Sequence, residues 1–296
     1  MRTKLLILFL FLMLTAADAQ SAEDRNADTF RLGVTTAAFT QVNQNDARAG
    51  LKSWFNAITR EQKLKIQADV LLYERAEDLQ KAFLQNHMEA ATLSVEDILM
   101  MKLKLQFVYI PATAQGVTVR YAIIVRRDGG INTLNALTGR KVSTYEKASM
   151  ILARPWFESL LTASQRTKWA VTDNPSKSIM QVFFRQSDAA LVTMEAFDLV
   201  CEMNPQLKNN LRALSVSQPF VAACFIFNPT FQGPLRERIE KAIMELHNTK
   251  SGQQVLTVFQ SSRIEKHPVS IMDDTIQFLE KNRPQKKKIS AKGSRP

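Results

Sequence analysis

Hydrophobic and polar residues follow two alternating patterns along the chain. Short apolar runs such as Ile66–Tyr73 and Asp188–Thr193 have the length and the β-branched content of buried strands. Between these runs, apolar residues recur three or four positions apart, as on the buried face of a helix. After Asn45, which is suited to cap a helix, they are Ala47, Leu51, Trp54, Phe55 and Ile58. The alternation predicts an α/β fold with mainly parallel sheets that helices cover on both faces.

The same patterns predict the position of each element. The predicted strands are Arg31–Thr35, Ile66–Tyr73, Met88–Ser94, Leu105–Ile110, Val119–Arg126, Lys141–Thr144, Lys168–Val171, Asp188–Thr193 and Phe220–Phe227. The predicted helices are the segment after Asn45, Glu77–Leu84, Glu96–Met101, Ser176–Phe184, Glu195–Met203 and Leu235–His247. No internal repeat is visible in this order.

Two of the long apolar segments are predicted to carry the chain between two lobes, with crossings near residues 112–121 and 217–224. Two lobes joined in this way form a clamshell with hinge crossings and an interlobe cleft. The length of 296 residues gives each lobe room for its own core. The predicted boundaries are residues 20–116 with 225–280 for lobe 1, and residues 117–224 for lobe 2.

The N-terminus has the pattern of a secretory signal peptide. Arg2 and Lys4 precede the apolar run from Leu5 to Leu14, and residues 17–19 read Ala-Asp-Ala, which is typical of a cleavage site. The run is shorter than the roughly 20 apolar residues that span a bilayer. We therefore predict that residues 1–19 are removed and that the protein is exported to the periplasm as a soluble chain.

The net charge of +11 suggests nucleic-acid binding until its location is considered. Residues 281–296 contain seven Lys or Arg and no acidic residue, and the predicted signal peptide contributes one net positive charge, which leaves +3 for residues 20–280. The basic tail has no aromatic residue on which a base could stack, so we predict no nucleic-acid partner. The tail is predicted to be disordered, and the alternative is an electrostatic contact with anionic lipid or an acidic partner.

The usual enzyme motifs are absent from the sequence. It contains no G-x-S-x-G, H-E-x-x-H, P-loop or G-x-G-x-x-G motif, and its three His and two Cys have no metal-ligand spacing. We therefore expect no catalysis, no cofactor and no metal. Cys201 and Cys224 are predicted to be buried free thiols; a disulfide and a catalytic cysteine are the alternatives.

Hydroxyl residues recur where predicted strands end and helices begin. They are Thr35 and Thr36 after the first strand, Ser94 after the third, Ser143, Thr144 and Ser149 around a strand-to-helix turn, and Thr193 directly before the helix that contains Glu195. In an open α/β sheet, the carboxyl ends of the strands face the crevice where ligands bind, and helix N-termini there favour anions. Each of these residues also suits a helix cap. Their occurrence in both predicted lobes leads to the hypothesis of an anion-binding cleft.

Five segments of the chain resemble the periplasmic substrate-binding proteins of phosphate, phosphite and phosphonate ABC transporters. They are RLGV with the Asn45 helix, LLYERAEDLQKAFLQNHMEAATLSVEDIL, YAIIVRRDGGINTLNALTGRKV, VFFRQSDAALVTMEAFDLVCEMNPQL and SGQQVLTVFQ. The resemblance implies a type II periplasmic-binding-protein fold, a small anionic ligand, an ABC permease as partner, a monomer and no catalysis. The alternative partner is a membrane sensor, such as a receptor or histidine kinase, for which the chain would be the ligand-sensing subunit.

The resemblance also implies roles for individual residues. Ser143, Thr144 and Tyr145 would present hydroxyl and backbone N–H groups to the ligand's phosphoryl oxygens, and Ser149 would assist from the following helix. Glu195 matches the acidic residue that meets the ligand's amine in phosphonate binders, and Ser94 matches a turn that closes the wall of the first lobe. Four positions depart from the family pattern. Ala76 stands where a Tyr precedes the second helix, and Leu93 or Ser94 stands where an aromatic residue follows the third strand. Pro155 is expected to be the first residue of a helix, and Arg185 stands where Gly is usual.

Overall fold

The computed structural model describes residues 28–35, 44–61, 63–146, 150–162, 164–258 and 261–282. The predicted signal peptide, Thr36, Ser149 and residues 283–296 of the basic tail lie outside the described residues. Among the described residues, no helix is both long enough and apolar enough to cross a membrane.

The described strands and helices alternate over most of the chain, as predicted. The strands are β1 (Asp28–Thr35), β2 (Ile66–Tyr73), β3 (Ala90–Ser94), β4 (Phe107–Ala112), β5 (Tyr121–Arg126), β6 (Lys141–Tyr145), β7 (Lys168–Thr172), β8 (Ala189–Thr193), β9 (Leu211–Val216), β10 (Ala223–Phe227) and β11 (Arg263–Pro268). The helices are α1 (Gln44–Glu61), α2 (Ala76–Leu84), α3 (Val95–Met101), α4 (Ala153–Ser159), α5 (Pro175–Phe183), α6 (Met194–Met203), α7 (Pro205–Asn210), α8 (Pro234–Met244), α9 (Lys250–Val258) and α10 (Asp273–Asn282). Short 3-10 turns occupy Leu134–Leu137, Leu246–Asn248 and Val269–Met272.

The strands form two sheets. One has the order β11-β4-β10-β3-β1-β2, in which β1 pairs in parallel with both β2 and β3. The other has the order β7-β6-β8-β5-β9; here β6 pairs in parallel with β7 and β8, whereas β5 is antiparallel to β8 and β9. This confirms the predicted α/β fold class with two sheets, and it adds that the five-stranded sheet is mixed rather than wholly parallel.

The chain passes from the six-stranded to the five-stranded sheet between β4 and β5, and returns between β9 and β10. The two passing segments are residues 113–120 and 217–222, and the prediction that they are hinge crossings between lobes stays a prediction. They are paired to each other, because Val119 and Phe220 exchange two backbone N–H···O bonds of 2.8 Å. This pairing gives the main chain of both segments hydrogen-bond partners at Val119 and Phe220.

Contacts between residues divide the chain into two units whose limits differ from those of the two sheets. The first unit contains the described residues up to 92 and residues 225–266, and the second contains residues 93–224 and the described residues from 267 onward. The core of the second unit is rich in aromatic residues. Phe220 packs against Tyr121 and Phe278, with ring centroids 5.8 and 4.9 Å apart, and Phe157 meets Trp169 edge-on at 5.2 Å.

Pro155 and Arg185, which depart from the family pattern, each have a local explanation in the structure. Pro155 is the third residue of α4 rather than the first, and it lies in the first turn, where a backbone N–H has no helical partner to lose. Arg185 has φ of 59°, in the left-handed region that favours glycine. Its guanidinium is held 2.7 Å from the carboxylate of Asp128, so the substitution for Gly is accompanied by an ion pair.

Candidate functional site

The carboxyl edge of the five-stranded sheet brings together several of the residues predicted from the sequence. The parallel strands β6, β7 and β8 end at Tyr145, Thr172 and Thr193, and Tyr145 lies opposite Thr172. The antiparallel strand β5 begins at this same edge, with Tyr121 opposite Thr193. Four strand termini therefore present side chains along one line.

Ser143 belongs to the interior of the second unit rather than to its surface. Its side chain is fully buried, and its hydroxyl lies 2.9 Å from the carbonyl oxygen of Ser178 and 3.2 Å from that of Ala189. Since one hydroxyl has a single proton to donate, these two carbonyls already use it. The structure therefore gives Ser143 a part in attaching α5 and β8 to β6, which differs from the ligand contact that the family resemblance implied.

Thr144 is half-buried at the end of β6, and its hydroxyl donates to the carbonyl oxygen of Leu191 at 3.0 Å. Beneath it, Thr172 is buried and its hydroxyl lies within hydrogen-bond distance of Thr144 O at 3.2 Å and of Ser178 Oγ at 2.7 Å. Among the described residues, the Thr144 hydroxyl donates to Leu191 O, and rotation about its Cα–Cβ bond would let it donate to a ligand instead.

Two tyrosines and one glutamate form a cluster at this edge. Tyr121 is fully buried and Tyr145 is 5% exposed, whereas Glu195 is half-buried in the first turn of α6. Burial is the main cause that raises the pKa of Tyr121, and the neighbouring Tyr145 and Glu195 raise it further. The Tyr121 phenol is consequently a neutral hydrogen-bonding group at physiological pH. The carboxylate of Glu195 can accept a hydrogen bond from a cationic group of a ligand.

Thr193 and Ser94 are helix caps in the structure. The Thr193 hydroxyl accepts from the N–H of Ala196 at 3.3 Å at the start of α6. Ser94 forms a capping box with Asp97: its hydroxyl accepts from the Asp97 N–H at 3.1 Å and donates to the Asp97 carboxylate at 2.6 Å, and that carboxylate accepts from the Ser94 N–H at 3.2 Å. Both residues therefore cap helices, which is the alternative role that the sequence analysis gave them.

The first unit places Thr35 at the end of β1, half-buried and opposite Tyr73 at the end of β2. Tyr73 was not among the predicted site residues. Burial raises the pKa of the Tyr73 phenol, and the positive charge of Arg31 partly opposes this. Thr36 and Ser149 remain predictions, since they lie outside the described residues.

Both cysteines are free and buried, which leaves neither as a disulfide partner in the structure. Burial raises the pKa of Cys224 to about 12 and also raises the pKa of Cys201. The thiolate is the reactive form of cysteine, so both side chains are poor nucleophiles at neutral pH. Among the described residues, no group of three or more His, Cys, Asp or Glu is placed to hold a metal ion.

Comparison with known proteins identifies relatives of this chain. The family model "ABC transporter, phosphonate, periplasmic substrate-binding protein" matches residues 36–268. Similar solved structures include PhnD1 from Prochlorococcus marinus in complex with methylphosphonate (TM-score 0.57, 14% identity, 86% of this chain and 98% of that chain covered). A binding protein component of an ABC phosphonate transporter from Pseudomonas aeruginosa has a TM-score of 0.55 at 9% identity, with 87% of each chain covered.

A protein from Xanthomonas citri bound to ATP is also similar, with a TM-score of 0.57, 12% identity and coverage of 86% of this chain and 97% of that chain. No curated protein matches the sequence significantly. The family match covers well over half of the chain, and the structural likeness extends over both sheets. The chain therefore belongs to the periplasmic substrate-binding proteins of phosphonate ABC transporters and has their type II periplasmic-binding-protein fold.

Proposed function

We propose that this protein captures a small phosphorus oxyanion of the phosphonate, phosphite or phosphate type, and delivers it to an ABC permease without chemical change. Family membership supports a periplasmic substrate-binding protein with a small anionic ligand and a membrane permease as partner. We further propose that residues 1–19 are cleaved during export and that the protein acts as a monomer.

The observation that carries the proposal is the convergence of four strand termini at the carboxyl edge of the five-stranded sheet. Thr144, Tyr145 and the N-terminus of α6 after Thr193 lie at this edge. Hydroxyl and backbone N–H donors suit a phosphoryl group, because hydrogen bonds to an ionised oxygen are shorter and stronger than neutral ones. The edge of a parallel sheet is also where α/β proteins commonly bind ligands.

The hydrogen bonds of the structure distinguish the predicted residues that can donate to a ligand from those whose hydroxyl protons are used within the protein. Thr144 is the leading donor, because its hydroxyl can turn from Leu191 O to an incoming oxyanion. Ser149 is proposed to assist it, as the family pattern implies. Ser143 and Ser94 donate their hydroxyl protons within the protein, so we assign them to shaping the strand ends and helix starts. The Thr193 hydroxyl accepts from the Ala196 N–H and can still donate its own proton, so we propose it as a second donor beside Thr144.

Glu195 is proposed to set the preference among phosphorus oxyanions. Its carboxylate repels a bare anion but attracts a ligand that also carries an amine. The half-buried position strengthens either effect, since solvent screens a partly buried charge less than an exposed one. We therefore place aminophosphonates among the candidate ligands, together with the simple anions.

A thermal-shift experiment with a double variant tests the proposal. Methylphosphonate, 2-aminoethylphosphonate, phosphite and phosphate are compared with sulfate and acetate. We expect at least one phosphorus oxyanion to raise the melting temperature of the natural protein, because a ligand at 100 times its dissociation constant adds about 2.7 kcal/mol to stability. Thr144→Ala/Ser149→Ala should abolish that rise while leaving the melting temperature of the ligand-free protein almost unchanged.

The matched control is Thr138→Ala/Ser164→Ala, which removes the same two hydroxyl types from exposed positions at the other end of the sheet. This control should keep the full ligand response. An undiminished response in the Thr144→Ala/Ser149→Ala protein would remove these residues from the binding site. A protein that responds to none of the four phosphorus compounds would contradict the proposed ligand class.

A further inference from the structure

The end of the five-stranded sheet opposite the carboxyl edge carries a concentration of basic residues. The register and backbone hydrogen bonds place Lys168, Lys141, Asp188, Arg126 and Leu211 in one row across the five strands. We call this end the basic pole. Its basic residues are Arg126, Arg127, Arg140, Lys141, Arg154, Arg166, Lys168, Arg185, Lys208 and Arg212, and its acidic residues are Asp128, Glu158, Asp188 and Glu202.

Backbone contacts hold the outer residues of the basic pole close to this row. The N–H of Lys168 donates to Arg140 O at 2.8 Å, and the N–H of Gly139 donates to Arg166 O. On the other side of the row, the N–H of Arg127 donates to Asn210 O at 2.8 Å. The loops before β6, β7 and β9 and after β5 therefore bring their charges to one end of the second unit.

The acidic residues of the basic pole leave much of its positive charge unbalanced. Asp128 lies 2.7 Å from both Arg126 and Arg185, and the Arg126 hydrogen bond is the main cause that lowers the pKa of Asp128 to about 2. Asp188 is paired with Arg140 at 3.4 Å. Arg154 and Glu158 likewise form an ion pair of 2.8 Å.

Five basic residues of the pole are exposed and form no ion pair with an acidic side chain among the described residues: Arg127, Lys141, Arg166, Lys168 and Lys208. Residues 20–280 carry a net charge of only +3 in total. The excess at the basic pole is thus a local concentration of charge, not a property of the whole surface.

Apolar groups accompany this charge. Phe184 is 60% exposed directly before Arg185, and Met203 is 78% exposed at the end of α6. A groove of about 610 Å³ lies between α6, α7 and β9. Its lining includes apolar residues, three basic residues of the pole and two acidic residues: Phe197, Leu211, Arg127, Lys208, Arg212, Asp198 and Glu202. A partner that carries only charge would leave these apolar side chains in water, whereas an anionic amphiphile would contact both kinds of group.

We propose that the basic pole is a docking surface for an anionic phospholipid membrane. Lys and Arg near such a surface are attracted to its headgroups by roughly 1 kcal/mol each, and exposed aromatic and aliphatic side chains partition into the headgroup region. The contact is electrostatic and reversible, and it holds the protein at the membrane surface between encounters with a membrane-embedded partner. It is independent of the ligand at the carboxyl edge.

Vesicle co-sedimentation of the exported protein tests this docking surface. Vesicles of phosphatidylglycerol mixed with phosphatidylcholine are compared with vesicles of phosphatidylcholine alone, at low and physiological salt. We expect binding only to the anionic vesicles, with weaker binding at physiological salt, where the screening length is about 8 Å. The pole variant is Arg127→Glu/Arg166→Glu/Lys168→Glu, with a glutamine version of the same three changes in case the glutamates unfold the protein.

The matched control is Lys65→Glu/Lys81→Glu/Lys241→Glu, which changes the net charge equally at exposed sites in the first unit. The pole variant should bind anionic vesicles on the order of a hundredfold more weakly than the natural protein, and the control should lose less than about threefold. Equal losses in both variants would assign any binding to net charge or to the C-terminal tail and overturn the proposal. So would failure of the natural protein to bind anionic vesicles, or tighter binding to heparin than to the vesicles.

Discussion

Replacing Phe220 by alanine is expected to lower the free energy of unfolding by about 4 kcal/mol. Phe220 is fully buried where the chain returns from the five-stranded sheet, and its ring lies between Tyr121 and Phe278. Its backbone is paired with Val119 of the other passing segment, so the surrounding atoms cannot easily move into the space that the ring leaves. Urea denaturation, followed by circular dichroism, measures the loss.

Phe220→Leu is the control for this substitution. Leucine keeps most of the apolar volume, and a swap of this kind usually costs less than about 1.5 kcal/mol. A loss of similar size for Phe220→Ala would mean that the site collapses around the smaller side chain. The two passing segments would then be less rigidly packed than the structure indicates.

Replacing Gly252 by alanine should destabilise the protein by about 3 kcal/mol, although the same change in most helices is favourable by up to about 1 kcal/mol. Gly252 lies in α9, and a Cβ atom added to it would come 2.0 Å from Leu246 O and 2.7 Å from the carbonyl carbon of Leu246. These are backbone atoms of the preceding 3-10 turn. The clash can be relieved only if α9 moves away from the turn.

Gln254→Ala, at an exposed position of the same helix, is the matched control and should be neutral or slightly stabilising. Thermal unfolding of both proteins measures the difference. A neutral Gly252→Ala protein would show that α9 and the 3-10 turn are not in the close contact seen here.

The parts of the fold that the sequence predicts best are those with a strong apolar pattern. The prediction for β2 agrees with the structure at both ends, and α6 begins one residue earlier than predicted. In contrast, β11 was not predicted, because Arg263–Pro268 alternates charged and apolar residues too weakly. This strand lies at the edge of its sheet beside β4, so its position depends on tertiary pairing rather than on local pattern.

Two long predicted strands are shorter in the structure. The segment predicted from Phe220 becomes β10 only at Ala223, and the one predicted from Val119 becomes β5 only at Tyr121. The apolar residues just before Tyr121 and Ala223 lie in the two passing segments, where Val119 pairs with Phe220. Hydrophobicity alone does not distinguish a buried crossing from a buried strand. The predicted lobe boundaries within the chain stay a prediction.

For the candidate site, the sequence predicts where the hydroxyl groups lie but not what they bind. The carboxyl-end positions of Thr144 and Thr193 follow from strand order. The sequence does not reveal that Ser143 is held by two backbone carbonyls or that Ser94 is engaged by Asp97.

An isothermal titration of the natural protein with methylphosphonate, 2-aminoethylphosphonate, phosphite and phosphate tests the central claim most directly. We expect saturable binding of at least one of them with one ligand per chain, no binding of acetate, and loss of the binding heat in the Thr144→Ala/Ser149→Ala protein. Absence of saturable binding for all four compounds, in protein stripped of ligand by unfolding and refolding, would contradict the claim that this chain is a receptor for small phosphorus oxyanions.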